Sequence, residues 1–154
     1  MNITIIGLDI AKQVFHAACC NEQGKLVKKK VLKRAAVLSF FSNMPSCIVA
    51  IEACATAHYW AREIERCGHT VKLIPPQHVK AFLVGNKNDY NDALAIAVAA
   101  SQHHIRVVNA NTIEQQDNQA LHKARQLAIR QRTAVCNQIR GLAAEYGMCI
   151  SRSV

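Results

Sequence analysis

The reading that decides the fold is that of "ITIIGLDIAKQVFHAACCNEQGKLVKKKVL", residues 3–32. "ITIIGLDIA" (3–11) is dense in β-branched residues and reads as a buried strand. "VFHAACC" (14–20) can return beside it as a hairpin partner, and "NEQG" (21–24) has the composition of a turn. "KLVKKKVL" (25–32) reads as a third strand, basic enough to sit near a sheet edge. The chain thus begins with three strands in meander.

Beyond the meander, helix and strand signals alternate. "KRAAVLSFFSNM" (33–44) has helical spacing and is closed by Pro45, and "CIVAIEA" (47–53) is a short apolar run expected as a buried strand. Thr56 is placed to cap "AHYWAREIERC", whose Ala57, Trp60, Ala61, Ile64 and Cys67 share one face and which Gly68 stops. Trp60 is read as core. "TVKLI" (70–74) is a further strand. "PPQHVKAFLV" opens with prolines suited to a first helical turn and runs to Gly85. Asn88 is expected to cap a helix from Asp89 to about His103. Last comes a long helical pattern over 113–146, introduced by the capping-box pair Thr112 and Gln115.

The predicted order is β-β-β-α-β-α-β-α-α followed by a long helix. That is the order of the ribonuclease H-like fold, so the expected class is α/β, a mixed sheet flanked by helices with a long C-terminal helix. Two parts are expected, 1–108 and 109–154. Fold by itself does not license a function.

Composition narrows the partner. Nineteen Lys and Arg against ten Asp and Glu give a formal charge of +9 over 154 residues, which favours a polyanion such as nucleic acid. Seven cysteines, an odd number with no C-x-x-C pair, fall mostly in apolar runs and point to a reducing compartment, the cytoplasm. "MNITIIGLDIAKQ" has no basic leader and its apolar run breaks at Asp9, so a signal peptide is not expected. Nor is a membrane span, since no apolar run reaches about 18 residues.

Against that basic background, four acids stand out. Asp9 ends the first predicted strand and Glu52 the fourth. Asp89 and Asp92 lie three apart on one helix face. If the first and fourth strands are neighbours, Asp9 and Glu52 open into one crevice, where sites in α/β sheets gather. Four clustered carboxylates cannot all ionise without a counter-charge. A divalent cation with oxygen ligands resolves the conflict, and a pair of such ions can clamp both oxygens of a phosphodiester displacement. Each acid also has a plainer role open to it: Asp89 as a first-turn residue, Asp9 in a turn, Glu52 paired with a base.

Other features are weaker. Lys87 sits beside the acidic pair and could meet a phosphate. Lys28, Lys29 and Lys30 suit a solvated sheet edge. Cys54, His58, His103 and His104 lack the spacing of a zinc site. Along the last helix Leu121, Ala128, Val135 and Leu142 recur every seven residues, a seam of coiled-coil kind. Arg125, Arg130, Arg132 and Arg140 decorate it. The helix is open to two readings, packing on its own domain or acting as a dimerisation arm with basic flanks toward nucleic acid.

"GLDIAK", "IEACATAHYWAR" and "GNKNDYNDALAIA", in this order, resemble the N-terminal DEDD domain of a family of bacterial insertion-sequence transposases. That family includes the Piv-type DNA invertases and the RNA-guided bridge recombinases. "TIEQQDNQALHKARQ…QRTAVCNQIRGLAAEYG" resembles its following helical segment, so the resemblance covers nearly the whole chain. It implies a RuvC-like fold and an acidic tetrad at Asp9, Glu52, Asp89 and Asp92. It also implies Mg²⁺ or Mn²⁺ as the metal, action on DNA phosphodiesters in transposition or inversion, and in some members a guide RNA. The resemblance is imperfect at Ala55 or Thr56, where glycine is frequent, and at Leu94, where an acid is common. Full-length relatives continue into a C-terminal domain with a serine thought to attack DNA, so this chain is expected to be a truncated or excised portion.

The expected function is a metal-dependent transposase or recombinase domain that self-associates through the long helix. The alternatives are a nucleic-acid-binding module that kept the fold without activity, and an actin- or sugar-kinase-like ATPase fragment. The last expects further Gly-rich phosphate loops, and none is visible.

Overall fold

The computed structural model describes residues 3–83 and 88–151. Gly85 and Lys87, and the expectations placed on them, lie outside the described residues. The chain divides into two compact units, Met1–Ala110 and Asn111–Val154.

The first unit is built on five strands: β1 (Ile5–Ile10), β2 (Val14–Cys20), β3 (Leu26–Lys33), β4 (Ile48–Glu52) and β5 (Thr70–Ile74). Their order across the sheet is β3-β2-β1-β4-β5. The meander pairs antiparallel, whereas β4 joins β1, and β5 joins β4, in parallel. The lysine-rich β3 is therefore an edge strand, where a row of charged side chains discourages pairing with another sheet. At the opposite edge Val108 bridges to Leu73 and donates its amide to the Leu73 carbonyl at 2.8 Å.

Alternation along the strands separates two apolar faces. One face carries Ile6, Leu8, Phe15, Val49, Ile51 and Leu73 and packs on α1 (Val37–Ser42) and α2 (Ala57–Arg66) through Val37, Phe41, Trp60 and Ile64. Burying a side chain such as Ile64 contributes about 2 kcal/mol. Trp60 is core, edge-on to Phe15 at 4.9 Å between centroids, with the Arg34 guanidinium 5.0 Å above its ring.

The other face carries Ile5, Cys20, Ala50 and Ile74. It is covered by α3 (Pro76–Lys80) and α4 (Asp89–Ser101) through Val79, Ala95, Ile96, Ala97, Ala99 and Ala100. The run of alanines lets α4 approach closely. Beneath it, Gly7 has no side chain to spare: a Cβ there would stand 2.6 Å from the Ala97 amide nitrogen and 2.9 Å from its Cβ.

Several local expectations need correction. Thr56 makes no side-chain cap to α2. Its backbone is already helical (φ −102°, ψ −4°), so the hydroxyl is not aimed back at the first turn, as an extended N-cap residue would aim it. The segment 33–44 splits into a 3-10 turn, Arg34–Ala36, and the short α1. Helix α3 has only five residues, with Ala81 and Phe82 in a turn beyond it. Helix α4 stops at Ser101, because Gln102 is extended. Gly68, at φ +92°, follows α2 in the left-handed conformation that suits a helix end.

The second unit is dominated by α5 (Ile113–Glu145), 33 residues opened by a complete capping box between Thr112 and Gln115. Beyond it Gly147, at φ +77°, and Met148 turn their amides back to the carbonyls of Ala144 and Ala143. Within this unit Leu121, Val135 and Leu142 are exposed. Among the described residues no helix is long and apolar enough to cross a membrane.

Candidate metal centre

The parallel β1–β4 ladder pairs Leu8 with Ile51. Asp9 and Glu52 are the next residues along each strand, at their carboxyl ends, on the sheet face that Gly7 and Ala50 turn toward α4. Glu52 is steadied from behind, since the following amide, of Ala53, donates to the Ile74 carbonyl at 2.8 Å. Helix α4 begins over this end of the sheet. Asn88 caps it, accepting from the Asn91 amide at 2.8 Å. That fixes Asp89 and Asp92 in the first turn, one helical step apart.

Only Asp89 of the other three acids joins Asp9 in a compact group of ligand atoms among the described residues, but the charges of all three reach it. Burial raises the Asp9 carboxyl above its ordinary range, and the charges of Asp92, Asp89 and Glu52 raise it further, opposed by His16. All three other acids of the set thus act on Asp9, although the four are carried by three different elements. One oxygen of Asp92, Oδ1, is buried with no hydrogen-bond partner. A buried carboxylate oxygen left without a donor is costly, and a hard cation is the ligand that would satisfy it. The residues present therefore fit a divalent metal.

The sequence reading missed His16. The β1–β2 register sets it directly opposite Asp9. Its Nδ1 stands 3.6 Å from Asp89 Oδ2. Ligand atoms of Asp9, His16 and Asp89 all lie within 4.8 Å of one another, the one such group with metal-binding side chains among the described residues. The Tyr90 ring packs edge-on to the imidazole at 5.1 Å between centroids, and Lys29 Nζ lies 5.0 Å from the Tyr90 centroid. Lys29 is exposed on the edge strand, as expected, and its ammonium also lies against Tyr90. The signal for His16 was present in the hairpin: a turn at residues 11–13 pairs position 9 with position 16.

Arg125, Arg130 and Arg132 are exposed on α5 in the second unit. Nothing in the first unit gathers Cys54, His58, His103 and His104 into a metal-binding group among the described residues.

A family model of transposases, of the DEDD IS110 type, matches residues 6–148. The probable family 20 transposase of Pseudomonas aeruginosa is 48% identical over 152 residues, which are 99% of this chain and 45% of that protein. The transposase for insertion sequence element IS1111A of Coxiella burnetii is 45% identical over 151 residues, 98% of this chain and 42% of that protein. The chain thus spans less than half the length of these relatives. Among solved structures, Thermus thermophilus RuvC superposes with a TM-score of 0.50 over 68% of this chain and 99% of that one, at 17% identity. That likeness is one of fold: a RuvC-like, ribonuclease H-like sheet.

Proposed function

The chain belongs to the DEDD transposase family of the IS110 type, and on that premise we propose that residues 1–108 are a metal-dependent DNA transposase or site-specific recombinase domain. Asp9, Glu52, Asp89 and Asp92 are its metal ligands and catalytic carboxylates, with Mg²⁺ or Mn²⁺ as the ion. The observation that carries the proposal is the grouping of Asp9 with Asp89 beside the unpartnered buried oxygen of Asp92, with the charges of Asp92, Asp89 and Glu52 all acting on Asp9. A bound divalent ion would supply charge stabilisation to the attacking and leaving oxygens of a DNA phosphodiester. The protein's part is to hold the four carboxylates in register, two on rigid strand ends and two in a capped first turn.

DNA is the proposed substrate. The net charge of +9 coexists with an acidic cluster, so the basic surface would draw in the polyanion that the cluster alone would repel. Lys87, Arg125, Arg130 and Arg132 are the proposed phosphate contacts. Residues 109–154 are the proposed self-association arm, the exposed seam of Leu121, Val135 and Leu142 meeting its counterpart in a second copy. A guide RNA rests on the family resemblance alone. The cytoplasm is the proposed compartment, where thiols stay reduced; all seven cysteines are free. The activity of the longer relatives as wholes is proposed to draw also on the portion that this chain does not span.

Metal titration tests the proposal. Mg²⁺ and Mn²⁺ should raise the melting temperature of the wild-type chain, and should do so far less in Asp9→Asn and Asp92→Asn. Equal shifts in all three would overturn it. Stabilisation by ATP instead would favour the ATPase reading.

A further inference from the structure

We infer that His16 is itself a ligand of this metal centre, making it a mixed nitrogen–carboxylate site that prefers a transition-metal dication, Mn²⁺ over Mg²⁺. The inference rests on the reading of the four carboxylates as metal ligands.

Three observations bear on His16. First, its position is built in: the antiparallel register places it across from Asp9, with both side chains on the face that α4 covers. Second, its Nδ1 is buried and has no hydrogen-bond partner, while the side chain as a whole is only 14% exposed. A ring nitrogen taken from water and left without a donor or acceptor is costly. Third, the ring is held. Tyr90 packs edge-on against it at 76° between planes, and Lys29 lies over Tyr90 in turn.

The contact with Asp89 is within ion-pair range but leaves Nδ1 without a hydrogen bond. At 3.6 Å the nitrogen and Asp89 Oδ2 are too far apart for a hydrogen bond. Both atoms can reach one ion after a small adjustment, since bonds of about 2.1 Å put octahedral ligands about 3.0 Å apart in cis and about 4.2 Å in trans, and 3.6 Å lies between the two.

The chemical consequence follows from ligand type. Mg²⁺ keeps oxygen ligands and waters, and gains little from an imidazole. Mn²⁺ binds nitrogen least strongly of the first-row transition dications, yet it accepts an imidazole more readily than Mg²⁺ does. Replacing one oxygen position by His16 therefore tilts the centre toward Mn²⁺. A neutral nitrogen also leaves one negative charge fewer to be balanced than a fifth carboxylate would.

The test uses the full chain loaded with Mn²⁺ and pulsed electron paramagnetic resonance. Wild type should show nitrogen coupling to Mn²⁺, and ¹⁵N-histidine labelling should change its pattern. That measurement needs no variant and so does not depend on any variant folding. His16→Gln should abolish the coupling and weaken Mn²⁺ about tenfold while changing Mg²⁺ affinity less than about twofold. Mn²⁺ binding without nitrogen coupling, coupling that survives in His16→Gln, or parallel weakening of both ions would overturn the inference and leave the carboxylate reading standing. Failure of the wild type to bind either ion would overturn both.

Discussion

Gly7 on β1 and Ala97 on α4 meet backbone to backbone, so closely that a Cβ on Gly7 would stand 2.6 Å from the Ala97 amide nitrogen. The same Cβ would also run into the Ala93 carbonyl oxygen. These are main-chain atoms of a helix and cannot swing aside. Two residues beyond Gly7 is Asp9, and at the start of the same helix are Asp89 and Asp92. The glycine thus sets the distance between the acids on the sheet and those on the helix.

Gly7→Ala should therefore lower stability by about 3 kcal/mol, the upper part of the range for overpacking a core. It should weaken Mn²⁺ binding as well, because α4 must lift away from β1. Chemical denaturation and metal titration of the same variant check both. Unchanged metal affinity in a destabilised protein would show that the helix position does not control the site.

Asp9 should make the metal-free protein pH-sensitive. Its carboxyl is raised in the folded chain, by burial first and then by its acidic neighbours. The folded state thus favours the protonated form. The stabilising contribution is fully present below the ordinary value of 3.8 and is lost as pH rises through the higher folded value. Without metal, Asp9→Asn should melt a few degrees above wild type at pH 7, and the gap should narrow as pH falls toward 4. Saturating Mn²⁺ should reverse the ranking. Differential scanning fluorimetry across pH, with and without metal, reads all three comparisons.

Self-association should fail when the α5 seam is charged. Leu121 is 69% exposed and Leu142 53%. Replacing both by glutamate should weaken association at least about a hundredfold by bringing like charges together at the proposed interface. Sedimentation velocity over a concentration series measures it. Identical profiles for wild type and variant would rule out this seam.

DNA binding should depend steeply on salt. Replacing Arg125, Arg130 and Arg132 by glutamine should reduce the slope of log K against log salt by about 0.9 for each phosphate that is no longer neutralised. Binding isotherms at several salt concentrations check it, and an unchanged slope would remove these arginines from the interface. Lys87→Gln in the same series tests the remaining candidate.

Local pattern along the chain was enough for the identity and order of nearly every element. β-branched runs became strands, the caps at Asn88 and Thr112 opened their helices, and Gly68 followed its helix in the left-handed conformation. These features depend on neighbours within a few residues, which is why they are legible. Thr56 shows the boundary: the residue type suits a cap, but the turn leading into α2 sets its backbone helical, and the hydroxyl makes no cap.

The four acids could be singled out because each stands near the end of such an element. That strands β1 and β4 are neighbours, that α4 rides directly on Gly7, and that His16 faces Asp9 are all relations between distant segments. They were decided only when the sheet assembled, because strand register and helix-to-sheet distance arise from packing two faces at once. A histidine in an apolar strand looks like any core residue; the turn at 11–13 makes its register with Asp9 possible, and pairing of the two strands completes it.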